Sequence, residues 1–204
     1  FLLSPILYQP VPQNAKHWAE KGLWNSMWNL KRITQLIPSC RLAGGITMTE
    51  IFFHRGLHGA SAHVDTANIF EGLDWQAAGK KPDNCPHSVW ELLFYMNYWQ
   101  DFMLAYLKNK TVKDPVHPEE SWPADPAPQT REMWEAGVER FLQGLQAGEE
   151  EAAKELSEPG YGKSGRKRAD LLMVLVNHNS YHAGQVVTVR SLIGSWPPQN
   201  DAES

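Results

Sequence analysis

The sequence predicts an all-α fold, a four-helix bundle with a long crossover between the second and third helices and a poorly organised N-terminal arm. Three observations carry this reading. Leu171, Leu175, His178, His182, Gln185, Val189 and Leu192 recur at steps of three and four, so one helix face holds them all. Ser88-Val89-Trp90-Glu91 is a capping box that opens another long apolar run. No stretch alternates convincingly with the period of a strand.

Residues 1–47 carry little organisation. Pro5, Pro10, Pro12 and Pro38 punctuate them, and Trp18 to Ile37 is a short amphipathic stretch without clear caps. The codons for Ala43-Gly44-Gly45, just before Met48, can spell a ribosome-binding sequence. The segment is therefore either a translated leader ahead of a start at Met48 or a genuine arm. The bundle is expected over residues 48–198, with a tail at 199–204.

Thr49 to Leu73 is the first helical region; Gly56, Gly59 and Val64 weaken its middle, and Asp65 suits an N-cap for a restart. The second helix runs from Ser88 to about Leu107. Its expected stripe is Leu92, Tyr95, Trp99, Phe102 and Tyr106, widened by Val89, Leu93, Met96 and Met103. Asn109 to Gln129 carries five prolines and reads as a packed crossover anchored by Trp122. Thr130 caps a third helix, Arg131 to Leu156, whose run Glu149 to Glu151 reads as solvated. A Gly-rich link, Ser157 to Lys167, leads to the last helix, Arg168 to about Ile193; Arg166 to Arg168 reads as a solvated basic turn. Gly194 and Pro197-Pro198 end that helix.

Charge and cysteine content narrow the function. The net charge of −4 divides into +4 over residues 1–47 and −8 over residues 48–204. An acidic main domain argues against sequence-independent nucleic-acid binding, which rests on neutralising phosphates. No apolar run is long enough for a bilayer, and Phe1 to Leu7 lacks the basic flank of a signal peptide. Cys40 and Cys85 make no disulfide framework and read as free thiols of a reducing cytoplasm.

The chemistry concentrates on the last helix. Its stripe is aliphatic at both ends and polar in the middle, and buried imidazoles need partners. A metal ion gripped by the i, i+4 pair His178 and His182 would supply them; so would ordinary hydrogen bonds in a core. His54 and His58 repeat the spacing, and His54, His58 and His63 read as solvated or loop histidines ahead of ligands.

Two segments also resemble a known family. FEGLDWQAAGKKPDNCPHSVWELLFYMNYWQDF, Phe70 to Phe102, and HNSYHAGQVVTVRSLIGSWPP, His178 to Pro198, look like the DinB/YfiT-like superfamily of small bacterial four-helix bundles. The likeness spans roughly Met48 to Pro198. It implies a divalent metal, zinc or nickel, held by three histidines. Two would be His178 and His182. The third falls where the family reads LL-x-HM, and here Leu92-Leu93-Phe94-Tyr95-Met96 puts Tyr95 in its place.

That departure leaves three outcomes: Tyr95 binds as phenolate, His63 or another donor fills the gap, or metal binds weakly or not at all and Tyr95 donates to an imidazole. Gln185 is implied as a group orienting a ligand or an imidazole. The resemblance further implies a metal-dependent transferase acting on a low-molecular-weight thiol such as bacillithiol or mycothiol, or a hydrolase, in a stress response. It implies a cytoplasmic homodimer, with substrate entering near the crossover. The alternative is a non-catalytic bundle for small-molecule binding or assembly.

Overall fold

Ser88 shows how closely local chemistry sets the helix starts. In the computed structural model its hydroxyl accepts from the Glu91 amide at 3.1 Å, and the Glu91 carboxylate accepts from the Ser88 amide at 2.7 Å. Two orphan amides are satisfied reciprocally, and helix α3 runs from Val89–Leu107. The structure describes residues 47–198 apart from 111, 114, 116 and 159–164. The expected leader or arm, its Trp18 to Ile37 stretch and the tail at 199–204 lie outside the described residues.

The other helices are α1 (Met48–Leu57), a single turn α2 (Trp75–Ala78), α4 (Arg131–Ala152) and α5 (Arg168–Leu192). Short 3-10 turns occupy Thr66–Asn68 and Pro118–Ser121. No strand occurs among the described residues. The long region expected from Thr49 to Leu73 is broken. Gly59, Ala60 and Ser61 all take positive φ, which an α-helix cannot continue through. Asp65 does cap the restart, accepting from Ala67 N at 2.8 Å, but what restarts is only a 3-10 turn. Thr130 caps α4 by accepting from the Met133 amide at 3.2 Å.

α3, α4 and α5 pack on one another, and α1 touches α4 and α5. Leu57 and Leu175 meet over Gly148, and Val176 lies against Gly56. On α3, Val89, Leu92, Leu93, Tyr95, Met96 and Met103 are buried as expected, and the buried face departs from the expected stripe only towards the C-terminal end. Leu93, Met96, Gln100, Met103 and Leu107 point inward, while Trp99, Phe102 and Tyr106 are half-buried. The aromatics flank the core and pack edge to face on each other, Trp99 on Phe102 at 5.3 Å and Phe102 on Tyr106 at 5.0 Å. On α5, Leu192 is exposed instead of closing its stripe. The 3.6-residue repeat drifts over six turns, and Arg190 takes the inward position at that end.

Two buried arginines bind the ends of the bundle. Arg190 is fully buried and donates to the carbonyls of Ile69 (2.6 Å), Glu71 (2.8 Å) and Ser195 (2.8 Å). One guanidinium thus serves the orphan carbonyls of two loops. Arg168 pairs with the fully buried Glu151 and with Glu158, and reaches the Leu107 carbonyl at the end of α3. Neither Glu151 nor Arg168 is solvated, as their charged neighbours suggested. They face each other where α3 and α4 end and α5 begins.

Removing Glu151 leaves the buried Arg168 guanidinium with only the half-exposed Glu158 as a carboxylate partner. Glu151→Ala is expected to lower unfolding free energy by about 3–5 kcal/mol. Urea denaturation followed by far-ultraviolet circular dichroism measures this; a change under 1 kcal/mol would show that the pair is not holding the helix ends.

Candidate metal centre

α5 carries His178 and His182 one turn apart, with imidazole centroids 4.6 Å apart. α3 brings Tyr95 to them across the bundle, 5.0 Å from His182 and 5.7 Å from His178 between ring centroids. The three residues expected to share a site do come together. Gln185 joins them, and His63 does not: its Nδ1 lies 2.7 Å from the Val64 carbonyl, in the loop after α1.

A chain of amides fixes His178. Gln100 Nε2 donates to the Phe141 carbonyl at 3.0 Å, and Asn179 Nδ2 donates to Gln100 Oε1 at 2.9 Å. That leaves Asn179 Oδ1 facing His178 Nδ1 at 3.3 Å, so Nδ1 carries the proton and donates. His182 is fixed the same way, with Nδ1 2.6 Å from Gln185 Oε1. Both imidazoles therefore present Nε2 as a lone pair. His178 Nε2 is buried and has no hydrogen-bond partner. An orphan acceptor is costly in a core, and a cation is one group that would satisfy it.

Burial first, then repulsion from His182, holds the His178 pKa down to about 3, against a weak upward pull from Asn179. Burial also lowers His182, to about 4; Gln185 opposes this and His87 adds to it. Both rings are neutral at physiological pH, the form that ligates metal. Tyr95 is a different donor. Burial raises its phenol pKa, which the nearby Trp99 indole only partly offsets. Its ring stacks at 4.4 Å on Trp122, which stacks in turn on His87 at 4.0 Å. Trp122 does anchor the 109–129 segment, and it does so on the third site residue. A neutral phenol is a weak ligand, so the fit to a divalent ion is two good donors and one poor one.

A cleft of about 410 Å³ adjoins the centre through Gln185, the partner of His182, although Tyr95, His178 and His182 do not themselves line it. Cys85, Pro86 and His87 line one wall, and Tyr181, Gln185 and Thr188 of α5 another. The segment before α3 builds this opening, and its His87 stacks on Trp122 of the crossover, near which access was expected. Cys85 is a free thiol, donating to the His87 carbonyl at 3.4 Å. Gln100, Asn179, His87 and Cys85 were not read as site residues. The histidine stripe could have suggested Asn179, which adjoins His178 in sequence; Gln100 carries no local sign.

A second group of ligand-type side chains lies elsewhere. His54 Nδ1 and His58 Nε2 approach Glu149 Oε1 at 2.7 and 2.8 Å, and the three ligand atoms fall within 4.8 Å of one another. Two histidines and an acid read as solvated thus converge between α1 and α4.

Among known proteins, the family model described as the DinB superfamily matches residues 60–186, which contain Tyr95, His178, His182 and Gln185. No curated protein and no solved structure matches the chain. No helix among the described residues is long and apolar enough to cross a membrane.

Two outcomes test this geometry. In the unfolded chain each imidazole takes a proton near pH 6.5, whereas in the fold it resists until about pH 3 or 4. Between those values the unfolded state binds more protons, so stability falls as the pH drops. Metal-free protein is expected to lose stability steadily from about pH 6.5 towards pH 4, and a His178→Asn, His182→Asn double variant to lose distinctly less, by urea titration at several pH values. Gly144→Ala tests the amide chain. Its new methyl would occupy the space of the buried Gln100 amide. The expected cost is about 1–3 kcal/mol, with a shift of the His178 ring resonances in NMR spectra; unmoved resonances would show that Gln100 does not position that ring.

Proposed function

Because the chain belongs to the DinB superfamily, we propose that it is a metal-dependent enzyme acting on a small molecule, with His178 and His182 as its principal metal-holding groups. The observation that carries this is the buried, partnerless Nε2 of His178, held inward by Asn179. A bound zinc or nickel ion would supply Lewis acidity, lowering the pKa of a thiol or a water.

The protein's own residues supply the rest. Asn179 and Gln185 fix both imidazoles in the tautomer with Nε2 free. Tyr95, kept protonated by its raised pKa, offers a hydrogen-bond donor at the third position. The cleft has room for a small molecule. It mixes the apolar Pro86, Leu92 and Val189 with Gln185 and Thr188, which suits a low-molecular-weight thiol or a comparable polar metabolite. Transfer to or from that thiol, or hydrolysis, is the reaction class, and a cytoplasmic homodimer acting in a stress response belongs to the same reading.

One observation favours a second reading. Tyr95 is stacked on Trp122 and is buried as a hydrophobic residue would be. A bundle that packs an aromatic where its relatives hold a metal is a small-molecule binding protein without catalysis.

Restoring histidine separates the two. In a His54→Asn background, which removes the cluster between α1 and α4, zinc is titrated by calorimetry into chelator-stripped protein. Tyr95→His is expected to tighten binding at least about 10-fold, and His182→Ala to abolish it. If neither the parent nor Tyr95→His takes up zinc, the enzyme reading fails and the binding-protein reading stands.

A further inference from the structure

We propose that His54, His58 and Glu149 form a second divalent-cation site, of the zinc class, that clamps α1 onto α4. It goes beyond the pocket on α5, shares no residue with it, and takes two of its three donors from before the segment matched by the family.

The backbone builds the pair first. His58 N donates to the His54 carbonyl at 3.2 Å, which continues the helical register one residue past α1. The two side chains therefore leave on one face, with ring centroids 4.8 Å apart. Glu149, far along α4, places one carboxylate oxygen between their nitrogens. Tetrahedral zinc with bonds near 2.0–2.1 Å needs its donors about 3.3 Å apart. The two N···O distances need to open by about half an ångström to meet that spacing, which Glu149, a long side chain about one-third exposed, can supply by withdrawing; the two nitrogens, within 4.8 Å of each other, need to settle to the same spacing by side-chain rotation.

Asp65 is the second, independent observation. Its carboxylate accepts from the Ala67 amide at 2.8 Å and from His58 Nδ1 at 2.7 Å. The loop thus holds the carboxylate still, and the carboxylate orients the His58 ring with Nε2 towards Glu149. A histidine backed by a carboxylate is the arrangement that orients and strengthens metal-bound imidazoles.

The charge balance points the same way. Among the described residues no lysine or arginine pairs with Asp65 or Glu149; their ion-pair partners are histidines alone. A cluster meant only as a structural salt bridge would use a permanent cation. Two carboxylates, Asp65 and Glu149, face the two imidazoles, and a divalent ion between the rings and Glu149 would sit against both. Two nitrogens and one oxygen suit zinc and its neighbours, whereas calcium and magnesium take oxygen donors. His54 is 60% exposed, so water can reach a fourth position.

α1 is short, and its hold on the bundle is mainly Phe53 and Leu57. A metal bridge to α4 would add to it. The test uses the full chain, stripped with chelator and titrated with zinc chloride. Wild type is expected to bind zinc here and to melt at higher temperature with zinc present. His54→Asn, on a largely exposed side chain, and the isosteric Glu149→Gln are each expected to lose one equivalent and the part of the thermal shift that this site supplies. His178→Asn with His182→Asn should retain both, since those changes touch only the other pocket. The proposal is overturned if His54→Asn and Glu149→Gln bind as much zinc as wild type with the same affinity, or if wild type binds none. Circular dichroism of the variants confirms that each is folded, and a loss of zinc in only the α5 variant sinks this site while leaving the other intact.

Discussion

The candidate centre depends on one interaction, the amide bridge from the Phe141 carbonyl through Gln100 and Asn179 to His178. A helix that puts polar groups into a core must satisfy them, because each unpaired one costs about 1–3 kcal/mol. Here three helices supply the partners. α4 offers a carbonyl, α3 an amide, and α5 an amide and a ring. Gln100 is fully buried and Asn179 nearly so. They bind the helices to each other and, as a consequence, fix which nitrogen His178 turns to the pocket. The polar core and the site orientation are the same set of bonds.

The surroundings have been shaped to that bridge. Gly144 is the residue on α4 that lies beneath the Gln100 amide, and any larger side chain would take its place. Trp122 presses Tyr95 from outside while the histidines hold it from within. Arg190 draws the segment around Ile69 and Glu71 onto the end of α5, beyond the cleft. Each contact restrains an element that contributes a side chain to the centre or a wall to its opening. Rigid support of this kind is what a functional constellation requires of its surroundings.

Features set by neighbours in sequence were legible there. The capping box at Ser88, the cap at Thr130, the stop at Gly194 and the i, i+4 pair on α5 depend on residues a turn apart, and the structure has all of them. Tyr95 could be placed because the family pattern supplied the register across the bundle. Features decided by distant residues were not legible. Glu151 lies in an acidic run, and only Arg168, seventeen residues on, makes it a core residue. Gln100 sits among aromatics that looked more apt for the interior than an amide, and the Phe141 carbonyl and Asn179 reverse that ranking. His54 and His58 looked solvated because their partner, Glu149, is more than ninety residues away.

Tyr95 shows where packing and chemistry compete. Its ring makes two stacking contacts and two edge contacts, with Trp122, His178, Trp99 and His182. Aromatic pairs of this kind are worth about 0.5–1.5 kcal/mol each beyond burial. A phenol therefore suits the third position as a packing residue while serving poorly as a ligand, since the burial that favours the ring also disfavours the phenolate. The two imidazoles experience the same burial with the opposite result: it keeps them neutral, which is the state a cation requires. One dry environment thus favours two potential donors and disfavours the third, and any hold of the candidate centre on a metal would follow from that opposition.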